Sequence, residues 1–121
     1  MRRLSVFCLG FVAAGAATGC GGGLGGALDS FHDGRLPAAA AELRALEASV
    51  GDASEREQAR YALYRGLAEL GLGNAPAADH WLARAWRADA RDPRLFEPKE
   101  HGELLAAWRS LGHLPGEPGP G

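Results

Sequence analysis

The stretch GNAPAA, residues 73–78, places a glycine and a proline three residues apart within a run rich in alanine and leucine. The same arrangement occurs in GRLPAA, residues 34–39, and begins again with GHLP, residues 112–115. The leading glycines stand at positions 34, 73 and 112, so both intervals are 39 residues. Glycine suits the left-handed turn that ends a helix, and proline suits the first turn of the next helix. The motif therefore predicts a repeated helix–turn–helix.

Apolar side chains ahead of the first two glycines recur at the spacing of one helix face. In the first unit these are Leu24, Ala27, Leu28 and Phe31. In the second unit, 39 positions later, they are Leu63, Gly66, Leu67 and Leu70. Ser54 and Glu57 have the spacing of a capping box that would open the second stripe's helix. A last helix leads into Gly112 but carries Arg109 where Leu70 would stand, which is typical of a degenerate terminal unit. We expect an all-α chain of about five helices in two and a half hairpins.

Residues 66–93 combine small residues inside both helices with a Gly-Asn turn and a large apolar residue. These positions are Gly66, Gly73, Asn74, Ala78, Leu82 and Ala85. In this pattern the segment resembles a tetratricopeptide repeat. The resemblance implies a short right-handed solenoid of helical hairpins, although the period here is 39 residues where the family has 34. A strict count from Gly66 puts Arg65 and Glu69 on the buried side. The apolar stripe favours instead a register that is shifted by one residue between the two helices.

The N-terminus has the layout of an exported protein's signal. The basic MRR precedes an apolar stretch from Leu4 to Ala17, which is shorter than the roughly 20 residues of a membrane span. The sequence ATGC, ending at Cys20, resembles the lipobox of bacterial lipoproteins. That resemblance implies cleavage before Cys20 and lipid attachment to it. An ordinary secretory peptide or an uncleaved anchor is the alternative.

These patterns divide the chain into four parts. We expect a signal peptide over 1–19, a lipid-attached glycine-rich tether over 20–26, the repeat domain over 27–112 and a disordered Pro/Gly tail over 113–121. Cleavage would remove Arg2 and Arg3, leaving 11 of the 13 basic residues against 15 acidic ones. That balance does not favour a nucleic-acid-binding protein or an electrostatic attachment to anionic lipid.

No pattern in the sequence indicates catalysis, a metal site or a cofactor. The four histidines lack metal-ligand spacing. Cys8 is assigned to the signal peptide and Cys20 to lipid attachment, so neither thiol is free to bind a metal. The glycines of GGGLGG, residues 21–26, fit a dinucleotide-binding motif by spacing alone, because no strand precedes them. We therefore expect no enzyme activity, and a small envelope hydrolase is the less favoured alternative.

Aromatic residues are the candidate partner-binding positions. Trp81 and Trp86 lie five residues apart on one helix and cannot face the same way, so one of them is expected to point outward as an anchor. Tyr61 and Tyr64 would line the concave face in the shifted register. A further set, Arg84, Arg87 and Arg91, shares one side of the second hairpin, as either an anion or acidic-peptide patch or a solvated face.

The sequence thus predicts a lipid-anchored envelope protein that serves as an interaction scaffold or an assembly or secretion accessory. Its partner would be another envelope protein or a second copy. In the lipoprotein family an Asp after the lipidated cysteine signals retention in the inner membrane. Gly21 stands there instead, which favours the outer membrane, facing the periplasm. A small-ligand carrier or a purely structural lipoprotein is the alternative.

Overall fold

The computed structural model describes residues 19–113. Apart from Gly19 and His113, the predicted signal peptide and tail lie outside the described residues. Five α-helices and no strand occur in this part of the chain: α1 (Gly19–His32), α2 (Leu36–Leu46), α3 (Glu55–Gly71), α4 (Ala75–Arg91) and α5 (Pro98–Ser110). Short 3-10 turns, Val50–Asp52 and Pro93–Leu95, precede α3 and α5. The prediction of an all-α chain is confirmed.

The three evenly spaced glycines end three helices in the same way. Gly34, Gly73 and Gly112 have φ angles of 81°, 83° and 91°, in the left-handed region that favours glycine. After each glycine, the next residue's N–H donates to the carbonyl five residues earlier. For Arg35 the acceptor is Ser30, at 2.9 Å, and the corresponding distances are 2.9 Å at Asn74 and 3.2 Å at His113. This pairing satisfies carbonyls at the helix end.

The helix starts also follow the sequence signals. Pro37 and Pro76 lie in the first turns of α2 and α4, where a missing N–H costs no hydrogen bond. The Ser54 hydroxyl accepts from the Glu57 N–H at 3.1 Å, and the Glu57 carboxylate accepts from the Ser54 N–H at 3.4 Å. The predicted capping box is therefore present.

Helix α1 begins earlier than the sequence indicated. Its range, Gly19–His32, includes the segment 20–26 that was expected to be a flexible tether. Leu24 packs against the core, and the backbone at Gly23 lies so close to Leu46 that a Cβ there would be 2.9 Å from it. The segment is therefore helical, and Gly23 and Leu24 are its members that pack against other parts of the domain.

Helix α3 lies at the centre of the domain. Consecutive helices pack on each other, and α3 also contacts α1 and α5. Because it has neighbours on nearly every side, α3 buries charged residues as well as apolar ones. Arg65 and Glu69 are 8% and 1% exposed. The register shift inferred from the apolar stripe is therefore wrong, and the strict count that buries both residues is correct.

Small residues allow the two helices of the second hairpin to approach closely. A Cβ added to Gly66 of α3 would lie 2.5 Å from the Leu82 side chain and 3.1 Å from the Leu82 backbone nitrogen of α4. Leu82 is fully buried, so it has little room to move. Glycine at position 66 is thus a packing requirement of the hairpin. No helix in the described residues is long and apolar enough to cross a membrane.

We expect Gly66→Ala to lower the free energy of unfolding by about 1–3 kcal/mol, because overpacking outweighs the better helix propensity of alanine. The matched control is Gly102→Ala in α5, where an added Cβ meets nothing within 4 Å. This control is expected to gain about 0.5–1 kcal/mol. Urea unfolding followed by circular dichroism measures both. A Gly66→Ala protein as stable as the control would contradict the close approach.

Candidate partner-binding surfaces

Three of the four aromatic candidates belong to the core. Tyr61, Tyr64 and Trp81 are 1%, 3% and 5% exposed, so the structure leaves them no surface for a partner. The Tyr61 hydroxyl donates to the Leu43 carbonyl at 2.6 Å, which ties α3 to α2. The sequence interpretation placed the tyrosines on an open face because it assumed the shifted register. In the strict register both rings point to neighbouring helices.

Tyr64 joins α1, α3 and α5. Its hydroxyl donates to Glu100 Oε2 at 3.0 Å, and its ring meets Phe31 edge-on with 5.2 Å between centroids. Burial, with the nearby Glu100 carboxylate, raises the pKa of Tyr64, so the phenol remains a donor at physiological pH. Arg60 donates to the same Glu100 oxygen at 2.9 Å. This contact holds the last helix against the centre of the domain.

Trp86 is half-buried and so keeps part of its ring at the surface. It stacks on the fully buried Trp108 with 4.8 Å between centroids and 10° between planes. His113 stacks on the same Trp108 at 4.1 Å, and its Nε2 lies 2.9 Å from Asp79 Oδ1. Of the four aromatic candidates, Trp86 alone retains a partly exposed ring, and stacking restricts its movement.

A buried ion network connects α2 to α3. Glu69 accepts two hydrogen bonds from Arg44, at 2.8 and 3.0 Å, one from Arg65 at 2.9 Å and one from Asn74 at 3.2 Å. The hydrogen bonds from Arg44, in particular, lower the pKa of Glu69 to about 2. The i, i+4 spacing of Arg65 and Glu69 was the signal in the sequence. Arg44, 25 residues away, could not be assigned without the fold.

The predicted arginine face lies beside a groove between α3 and α4, here named the arginine groove, with a volume of about 230 Å³. Its arginines are Arg84, Arg87 and Arg91. Its small residues are Ala59, Ala62 and Ala88. Glu55 and Gln58 also line it, and Glu55 lies 3.4 Å from Arg91 in a pair that is well exposed on both sides. The structure thus brings the three predicted arginines to one concave surface.

A second cavity, here named the apolar pocket, lies between the first hairpin and α3. Its volume is about 500 Å³, and its apolar lining comes from Leu24, Leu46, Val50 and Ala53. Tyr61 closes one side, while Ser49, Asp52 and Glu57 contribute polar groups. Cavities of this size and character accommodate small ligands in proteins. This pocket is not visible in the sequence, because its lining residues come from three separate segments.

The histidines carry turn and helix-end contacts. His101 Nδ1 lies 3.0 Å from Asp89 Oδ1, and its Nε2 lies 2.9 Å from the Pro93 carbonyl oxygen. These contacts fasten α5 to the end of α4. Neither cavity described above has a histidine in its lining. Within residues 19–113, no three histidine, cysteine or acidic side chains lie together as metal ligands would.

Comparison with known proteins gives no assignment. No protein-family model, no curated protein and no solved structure matches the chain.

We expect Glu69→Gln to lower the free energy of unfolding by roughly 2–4 kcal/mol at neutral pH, because it leaves the buried Arg65 guanidinium without its full counter-charge. The folded pKa of about 2 lies below the ordinary 4.5. The carboxylate's stabilisation is therefore fully present above pH 4.5 and is lost as the pH falls towards 2.

The difference in free energy of unfolding between the wild type and Glu69→Gln should accordingly become smaller from pH 5 to pH 2, as measured by urea titrations. The control Asp33→Asn breaks an exposed pair with Arg35 and is expected to change stability by less than about 1 kcal/mol. A difference that stays constant with pH would show that the Glu69 charge does not stabilise the fold.

Proposed function

We propose that this chain is a lipid-anchored envelope protein whose tetratricopeptide-like solenoid acts as a protein–protein interaction scaffold. The observation that carries the proposal is the same glycine-ended helix turn at positions 34, 73 and 112. A unit that repeats at a constant interval and packs on its neighbours is the construction principle of helical solenoids. Such folds use their extended surfaces to bind other proteins.

The packing of the helices supports the solenoid. The two hairpins, α1–α2 and α3–α4, are the most extensive contacts, and they are joined through α2 and α3. Glycine and alanine lie where the family has small residues: a side chain at position 66 would meet Leu82, and Ala78 and Ala85 are fully buried. The period of 39 residues means longer units than the family's. We therefore propose a tetratricopeptide-like, rather than a standard, repeat.

The small size of the array supports a need for a partner. Arrays of this kind generally require roughly three repeats to bury their faces, and this one has two hairpins and the single helix α5. A domain of this size buries only about 65% of the surface of its unfolded chain. Leu72, at the end of the second hairpin's first helix, is 41% exposed. Another envelope protein or a second copy would cover such surface.

The anchor proposal depends on the sequence at Ala17–Cys20. Lipid on Cys20 would place the domain directly at the membrane, since α1 begins at Gly19. Gly21 follows the cysteine, and this supports the outer membrane, with the domain facing the periplasm. We assign no reaction and no cofactor to the chain.

The anchor is tested by expressing the full chain with an alkyne-tagged fatty acid and detecting the label. The wild type and Cys8→Ala are expected to be labelled and to sediment with membranes. Cys20→Ala is expected to lose the label and move to the soluble fraction, because the thiol that accepts the lipid is gone. Equal labelling of Cys20→Ala and wild type, or no labelling of either, would exclude the lipoprotein assignment.

A carrier of small apolar ligands is the second candidate, and the apolar pocket between the hairpins favours it. Val50 and Leu46 give this pocket its apolar character. A carrier would use the pocket for an aliphatic ligand, with the surrounding polar groups contacting the ligand's head group.

For the carrier we expect decanoate to bind the Cys20→Ala chain in isothermal titration calorimetry. Val50→Asp should abolish binding, because it places a charge in the apolar lining. Ala48→Asp, at an exposed position just before the pocket, is the matched control and should bind normally. If decanoate gives no binding heat with the Cys20→Ala chain, or equal binding heats with the Val50→Asp and Ala48→Asp variants, the carrier function is excluded.

A further inference from the structure

We propose that the arginine groove binds a carboxylate-rich segment of a partner protein. The inference names the partner class of the proposed scaffold and so rests on that function, but it does not depend on the lipid anchor. Four observations carry it: the charges along α4, the position of Arg84 on Trp81, the weak ion pair of Arg91 and the shape of the groove.

The arginine groove carries an excess of positive charge. Arg84, Arg87 and Arg91 are separated by three and four residues, so they are neighbours on one helix face. No acidic residue of α4 stands three or four positions from Arg84 or Arg91. Within the groove lining, Glu55 is the one acidic residue. An anionic ligand would complement this surface.

Arg84 is held in position by an aromatic ring. Its guanidinium carbon lies 5.0 Å from the centre of the Trp81 ring, and the guanidinium carbon of Arg65 lies 4.9 Å from the same ring. Trp81 is buried and also meets Tyr61 edge-on at 5.3 Å. The stacked arrangement fixes Arg84 at the groove, so a ligand would lose less side-chain entropy in binding it.

Arg91 and Glu55 form a weak ion pair, in which another carboxylate could replace Glu55. Its contact with Glu55 is 3.4 Å long, and both side chains are more than half exposed. Exposed pairs of this kind contribute little stability. A partner carboxylate that also contacts Arg84 would compete effectively with Glu55.

The shape of the groove favours a peptide over a compact anion. Seven residues of helix separate Arg84 from Arg91, a rise of about 10 Å, whereas one phosphate group contacts a cluster of donors a few ångströms apart. Ala59, Ala62 and Ala88 provide a small, partly apolar surface between the charges. Side-chain methylenes of a glutamate-rich segment would pack there while its carboxylates reach the guanidinium groups, whose planar forks match carboxylates.

The test uses the full chain in a nonionic detergent and fluorescein-labelled decaglutamate as the probe, with binding followed by fluorescence anisotropy. We expect saturable binding that weakens from low to physiological ionic strength. Arg84→Gln/Arg91→Gln should reduce the affinity roughly fivefold or more. If this double variant fails to fold by circular dichroism, Arg91→Gln alone replaces it, since Arg91 contacts an exposed acid.

The matched control is Arg94→Gln/Arg109→Gln, which removes the same net charge from exposed positions outside the groove. It should keep the affinity within about twofold. No binding of the peptide, or equal weakening by both double variants, would overturn the proposal. Displacement of the peptide by inorganic phosphate more than by chloride at equal ionic strength would assign the groove to a compact anion instead.

Self-association is the remaining competing outcome. Sedimentation of the wild type as a dimer, and of Arg84→Gln/Arg91→Gln as a monomer, would assign the groove to a second copy and overturn the partner peptide. The fatty-acid labelling of Cys20 is unaffected by any of these results. Failure of the groove proposal is therefore distinguishable from failure of the anchor.

Discussion

Helix α3 must be enclosed on nearly all sides, and the rest of the domain follows from that constraint. Alanine-rich helices bury little area each, so stability depends on a central helix that contacts the other four. A charged pair, Arg65 and Glu69, occupies one of its buried faces. Enclosure is possible because Arg44 from α2 completes the pair and because Gly66 admits Leu82 from α4. Both contacts require tight hairpin turns, which bring each helix back against its predecessor.

The turns are the part of the fold that the sequence predicts best. A left-handed residue and an early proline are local requirements, so Gly73 and Pro76 reveal the turn without knowledge of any neighbour. The same holds for the capping box at Ser54 and Glu57. Helix number and class therefore follow from local chemistry.

Which face of each helix is buried is harder to predict, because it depends on the elements that surround the helix. An amphipathic stripe identifies a buried side when the other side is solvated, but α3 has no fully solvated side. The apolar stripe therefore suggested a wrong register, and Tyr61 and Tyr64 were placed at the surface. The glycine-rich segment 20–26 suggested a flexible tether, because the contact of Gly23 with Leu46 depends on another helix. The apolar pocket was missed for the same reason, whereas the arginine face was visible because its three members share one helix.

The early start of α1 would have a mechanical consequence if Cys20 carries the proposed lipid. A domain joined to its lipid by a loose peptide can sample a large volume and capture partners at some distance. Here the backbone is already helical at Cys20, and α1 packs on α2 from Gly23 onward. With lipid on Cys20, the domain would be held at a nearly constant distance from the bilayer and in a restricted orientation. A partner would then have to arrive at the membrane surface in the matching orientation.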